Sequence, residues 1–254
     1  MQKQNLGYAC INETLGAQKP RITTNRSMIK KTFKERGINY ASELGLQNCR
    51  DLIEVIKWNH KNGINFFRVS SNLFPWSSEY QLSDMPHYNR ISHLLAGAGN
   101  LARKYNQRIT SHPGPFNVLV SPTERVVENT ITDLSIHGEV FDLMGLSRTP
   151  YNKLNIHCNG VYGDKQSAMD RFCKNFERLP ESVQSRLTVE NDDKASMYSV
   201  KDLMYIHEQN DKIKPQAHSD YISDYINTYE VDVDIMVEAK KKELTLFRYK
   251  SVYA

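Results

Sequence analysis

The sequence has 254 residues, 39% of them hydrophobic, with 33 Lys and Arg against 29 Asp and Glu for a formal charge of +4. That is enough to bury one large core in a single domain spanning 1–254, and no run approaches the roughly 18 unbroken apolar residues a membrane helix needs. The opening "MQKQNLGYACINE" lacks a secretory apolar stretch, and the four cysteines, Cys10, Cys49, Cys158 and Cys173, include no C-x-x-C pair, so an intracellular chain with reduced thiols and no zinc finger is expected.

Along the chain, apolar and β-branched runs alternate with helical patterns. "NLGYACI" predicts the first strand. A basic segment follows, with Arg21, Arg26, Lys30, Lys31 and Lys34, which either forms a solvated face or neutralises phosphates. "INFFRVSS" predicts a second strand, and "PWSSEYQLSDMPHYNR" a long loop of lid or binding type. From Tyr88 to Tyr105, Ile91, Leu94, Leu95, Ala98, Leu101 and Ala102 recur at helical spacing and form one apolar stripe.

"QRITSHP" predicts the third strand. In "SPTE", Ser121 suits a cap, Pro122 the first helical position and Glu124 a capping box. "KLNIHCNG" is a strand, followed by the helix "DKQSAMDRFCKNF" with Asp164 as cap and Ala168, Phe172 and Phe176 inward. "RLTVEND" is the fifth strand, "SVKD" opens another helix at Ser199, and "VDVDIMVEA" is the sixth strand before a second basic cluster that includes Lys240, Lys241 and Lys242.

Apolar strands separated by helices predict a parallel sheet covered by helices, either a (β/α) TIM-type barrel or a doubly wound sheet. The barrel is favoured. "GYACINETLG" has the wrong spacing for a dinucleotide fingerprint, and His112, His157, Glu190 and Glu238 all fall at strand ends, where barrels build their active sites. Six strands are two short of a closed eight-stranded barrel, so an incomplete barrel is expected.

The chemistry concentrates on a few side chains. His112 closes a strand and is aimed by the "PG" that follows it, while His137 falls on the inward stripe of its helix and needs a hydrogen-bond partner or a metal. Glu190 and Glu238 each follow an apolar strand, where an ionised carboxylate needs a counter-charge. Two carboxylates and two or three histidines at one rim suit a divalent cation such as manganese or zinc. Asn191, Asp192 and Asp193 read equally well as a turn or helix cap.

"GYACIN", "FFRVSSNLFPW", "ITSHPG", "FDLMGL", the block "NIHCNGVYGDKQSAMDRFCKNFERLPESVQSRLTVENDDK", "AHSDYI" and "DIMVEAKKKE" together resemble the UV damage endonuclease family over most of the chain. The resemblance implies a barrel related to endonuclease IV and xylose isomerase. It implies a nuclease that nicks double-stranded DNA 5' to UV photoproducts and other lesions, using up to three divalent ions, most often Mn, with Zn or Mg as alternatives.

Carried over, His112 and His137 match family ligands, Glu190 the bridging carboxylate, His218 a later ligand and Glu238 the last carboxylate, with Glu190, His112 and His137 at the catalytic centre. Tyr8 matches an aromatic that probes the lesion. Phe116, His157, Arg21, Lys30 and Lys31 are expected on the DNA side. The chain departs from the pattern in two places. Pro115 stands where the family has Gln, and between "ENDD" and "HSDYI" an Asp-His strand and a Lys-x-His strand are expected to be missing, with about four ligands. One ion site would survive through His112, His137 and Glu190, a second would keep Glu190 and Glu238, and a third little beyond His218.

The activity expected is therefore a repair endonuclease, impaired by the missing ligands. The alternative is a lesion-binding protein without catalysis, and a sugar isomerase on the same barrel is a third reading. No protein partner is required by the sequence, although two missing strands would leave edges that a second copy could pair with.

Overall fold

The structure, a computed structural model, describes residues 5–192, 194, 196–216 and 233–253. In chain order the strands are β1 (Leu6–Ala9), β2 (Phe66–Val69), β3 (Arg108–Ser111), β4 (Leu154–His157), β5 (Leu187–Glu190), β6 (Lys214–Gln216) and β7 (Ile235–Val237). The helices are α1 (Glu13–Gly16), α2 (Lys30–Lys61), α3 (Tyr88–Lys104), α4 (Glu124–Leu143), α5 (Lys165–Phe176), α6 (Glu181–Gln184), α7 (Val200–Gln209) and α8 (Lys242–Tyr253).

The chain divides into two compact units. The first holds the described residues of Met1–Pro75, Asp84–Thr110 and Tyr221–Ala254, and the second those of Trp76–Ser83 and Ser111–Asp220.

In the first unit the strands run β3-β2-β1-β7, and β1 is parallel to both β2 and β7 with Tyr8 opposite Phe67 and Val237. Gly7 permits the close approach, since a Cβ there would lie 2.5 Å from the Phe66 carbonyl oxygen. Within α2 the chain kinks at non-helical Gly37, φ 60°, which joins two helical stretches in a conformation glycine adopts without a Cβ penalty. Ile91, Leu95, Ala98 and Ala102 of α3 are buried as the stripe requires, with Leu94 and Leu101 half-buried. The fully buried Glu243 carboxylate accepts from the Glu13 and Thr14 amides at 3.0 and 2.8 Å, so the last helix satisfies the open N-terminus of the first.

In the second unit β4, β5 and β6 are consecutive and parallel, and Ser111 at the end of β3 pairs with Leu154. All four residues of β5 are buried. Asp164 caps α5 through the Gln166 and Ser167 amides, Ala168, Phe172 and Phe176 face inward, and Ser199 with Asp202 forms a reciprocal capping box on α7. Arg186 is fully buried and donates to the carbonyls of Gly138, Leu146, Ser147 and Ser182, with Asp142 2.8 Å away as its counter-ion. The guanidinium thereby satisfies carbonyls in the loop after α4 and in α6.

Three expectations are corrected. Seven strands are described, not six, because Lys214–Gln216 pairs with β5 despite having no apolar residue apart from Pro215. Helix α4 begins at Glu124 after Thr123, since the Ser121 hydroxyl accepts from the Thr123 amide at 3.1 Å in a local turn instead of capping. The expected lid segment contains two 3-10 turns, Ser77–Glu79 and Leu82–Asp84, and buries Ser77, Tyr80 and Leu82, so it is packed structure.

Candidate metal centre

Adjacent strands of the second unit place the polar groups by register. His157 is the Cα partner of Glu190, and Asn155 that of Thr188. Side chains two residues apart share one face of a strand, so Asn155 and His157 on β4 meet Thr188 and Glu190 on β5. Thr188 Oγ1 donates to Asn155 Oδ1 at 2.6 Å, and Asn155 Nδ2 donates in turn to Glu190 Oε2. This relay fixes one carboxylate oxygen and leaves the other for the imidazoles.

Glu190 Oε1 lies 2.7 Å from His112 Nε2 and 3.1 Å from His157 Nε2, and the two rings stand 5.2 Å apart. Ligand atoms of His112, His157 and Glu190 all fall within 4.8 Å of one another. On the far side of each ring, His112 Nδ1 faces the Pro113 carbonyl at 3.1 Å and His157 Nδ1 the Asn191 carbonyl at 3.0 Å. A carbonyl only accepts, so each Nδ1 carries a hydrogen, and a ring without a second proton turns its Nε2 lone pair toward the carboxylate. Lone pairs on Nε2 and Oε1 repel unless a proton or a cation lies between them. The donor set therefore fits a divalent ion, with the backbone orienting each imidazole as ligating histidines are usually oriented.

Glu190 is buried, which opposes ionisation, but the hydrogen bond and charge of His112, the charge of His157 and the Asn155 amide outweigh this and hold its pKa down to about 2. A carboxylate kept ionised in a buried place is a ready cation ligand.

His137 is buried on α4 beside this group. Its Nδ1 lies 3.3 Å from Ser111 Oγ and its Nε2 3.7 Å from Asp133 Oδ2. Burial lowers its pKa, Asp133 opposes this and the neighbouring His112 adds to it. Asp133 is itself buried and accepts from Ser77 Oγ and, at 2.7 Å, from Asn117 Nδ2. The ligand group therefore joins His112 and Glu190 to His157, while His137 has its own partners.

Within the first unit, Glu238 forms a bidentate pair with Arg68, one arm at 2.7 Å. Tyr8 is fully buried, accepts from Asn12 Nδ2 at 2.8 Å and donates to Asn59 at 2.7 Å, and burial pushes its phenol up. Arg21, Lys30 and Lys31 are exposed, as is Phe116 in the second unit. His218 and Asp193 lie outside the described residues. Among the described residues no helix is long and apolar enough to cross a membrane.

Asn155 and Thr188 escaped the sequence reading. The signal available was the spacing "N-x-H" in one strand and "T-x-E" in the next, each putting a polar residue on the same face as its ligand.

A family model described as UV-endonuclease UvdE matches residues 4–213. The UV-damage endonuclease of Schizosaccharomyces pombe is 42% identical over 202 residues, covering 78% of this chain and 33% of that protein. The one from Neurospora crassa is 34% identical over 241 residues, covering 82% of this chain and 36% of that protein. The chain thus spans about a third of the length of these two curated relatives. The crystal structure of SacUVDE is 26% identical with a TM-score of 0.77, covering 98% of this chain and 99% of that one. With parallel strands alternating with helices, this likeness gives the fold class as α/β, of the (β/α) TIM-type barrel kind.

Proposed function

The chain belongs to the UV-endonuclease UvdE family, and on that premise we propose that it is a metal-dependent endonuclease that nicks double-stranded DNA 5' to UV photoproducts and related lesions. The observation that carries the reading is the buried Glu190 carboxylate, turned toward two imidazoles whose Nδ1 atoms are committed to backbone carbonyls. His112, His157 and Glu190 would hold a divalent ion, with Mn favoured and Zn or Mg as alternatives. When bound, such an ion supplies positive charge for a phosphodiester and lowers the pKa of water toward about 7.

The protein's own groups do the rest. The Thr188–Asn155 relay holds Glu190 Oε2, so the carboxylate presents Oε1 without reorganising. Pro113 and Asn191 fix the tautomers of the two rings, keeping Nε2 available as a donor to the ion. His137, whose pKa burial lowers and which lies near His112, is placed to add a further nitrogen or to orient water at the same group. The exposed Arg21, Lys30 and Lys31 would contact the DNA backbone without reading sequence. His218 and Glu238 would take the ligand roles that the family resemblance assigns them, whereas the fully buried Tyr8, held by Asn12 and Asn59, offers no face to a lesion.

The test is incision of an irradiated duplex with Mn. Nicking that EDTA abolishes and Glu190→Gln removes is expected. Nicking by a folded Glu190→Gln protein at the wild-type rate would overturn the proposal.

A further inference from the structure

Two loops of the second unit share one plan. After β3 the chain reads His112-Pro-Gly114-Pro-Phe116, and after β4 it reads His157-Cys-Asn-Gly160-Val-Tyr162. Each begins with an imidazole of the ligand group and carries an aromatic two residues beyond a glycine. In both, the ring folds over that glycine so closely that a Cβ there would collide with it. Phe116 is 60% exposed and Tyr162 51% exposed. The Asn159 side chain ties the loops together by donating to the Pro115 carbonyl at 3.3 Å.

Exposed rings are common and exposure alone implies no ligand. The second loop, however, holds its ring out at a conformational cost. Asn159, Gly160, Tyr162 and Gly163 have φ of 53°, 59°, 51° and 82°, four left-handed residues in a stretch of five. A tyrosine rarely adopts that region, and the surroundings enforce it: Tyr198 donates to the Gly160 carbonyl at 3.0 Å, and the Arg171 guanidinium lies 6.0 Å from the Tyr162 ring centre. Strain kept at an exposed aromatic beside a candidate site calls for an occupant. At a group suited to a phosphodiester, the flat apolar surface within one nucleotide is a base, and bases stack on aromatic side chains irrespective of sequence.

We infer that Tyr162 is a base-stacking contact for DNA held at the His112–His157–Glu190 group, paired across the linked loops with Phe116. The inference rests on the endonuclease reading. It predicts a sequence-tolerant contribution to substrate binding, separate from the chemistry.

The experiment compares wild type, Tyr162→Leu and Tyr162→Phe on a duplex with one photoproduct in Mn, with thermal unfolding as the control for folding. A second arm irradiates wild type with a duplex carrying 5-iodouracil next to the lesion and locates the adduct by mass spectrometry. Tyr162→Leu is expected to raise KM about 10-fold with kcat within about 2-fold, Tyr162→Phe to keep wild-type values, and the adduct to fall on Tyr162. Unchanged KM in a folded Tyr162→Leu protein, an equal rise in Tyr162→Phe, or an adduct confined to other residues overturns the inference while leaving the endonuclease reading intact. Failure of the wild type to nick brings down that reading and the inference with it.

Discussion

Glu190 Oε1 sits 2.7 Å from Nε2 of His112, an imidazole whose other nitrogen is already committed to the Pro113 carbonyl. The contact is the one in this group that most requires a positive species between its partners. Glu190→Gln keeps the shape and removes the charge, so incision should fall by about 100-fold or more, as checked by a nicking assay at saturating Mn.

Asn155 acts through Glu190. Replacing it by Ala frees Oε2 and leaves Thr188 Oγ1 without its acceptor. Affinity for Mn should drop about 10- to 100-fold in calorimetric titration, and Asn155→Asp, which sets a second carboxylate against the first, should be worse.

Asp142 is the counter-ion of buried Arg186 and also pairs with Arg148. Burial opposes its ionisation, but hydrogen bonds from Arg148 and Arg186 prevail and lower its pKa. Because the folded value lies below the unfolded one, the stabilisation is fully present above the unfolded pKa of about 3.9 and is lost as pH falls below it. Asp142→Asn should cost about 2 kcal/mol at neutral pH, since Asp142 is partly exposed and Arg186 keeps its carbonyls. Urea unfolding should show that difference shrink from pH 5 toward pH 3.

Asp133 holds Ser77, Asn117 and the vicinity of His137 together. Asp133→Ala strands two buried donors and should lower stability by about 2–4 kcal/mol, read as a lower urea midpoint.

The strands were legible where burial on both faces writes an apolar run, as in "LTVE" of β5. Lys214–Gln216 was not, because among the described residues it pairs on one side only, and an edge position tolerates Pro215 and needs no apolar side chain. His112 and Glu190 could be picked out by residue type and strand end. His157 carried the same strand-end signal, but that it meets the same Glu190 oxygen as His112 could not be read, since this follows from the register of β4 on β5, which periodicity does not encode. Ser121 matched a capping pattern, yet its hydroxyl found the Thr123 amide first and the helix began later.

Direct binding of Mn to the isolated protein is the decisive measurement. Titration followed by electron paramagnetic resonance should show at least one saturable site in wild type that Glu190→Gln and His157→Ala each lose while remaining folded. Equal numbers of bound ions in all three proteins would contradict a cation centre built on His112, His157 and Glu190.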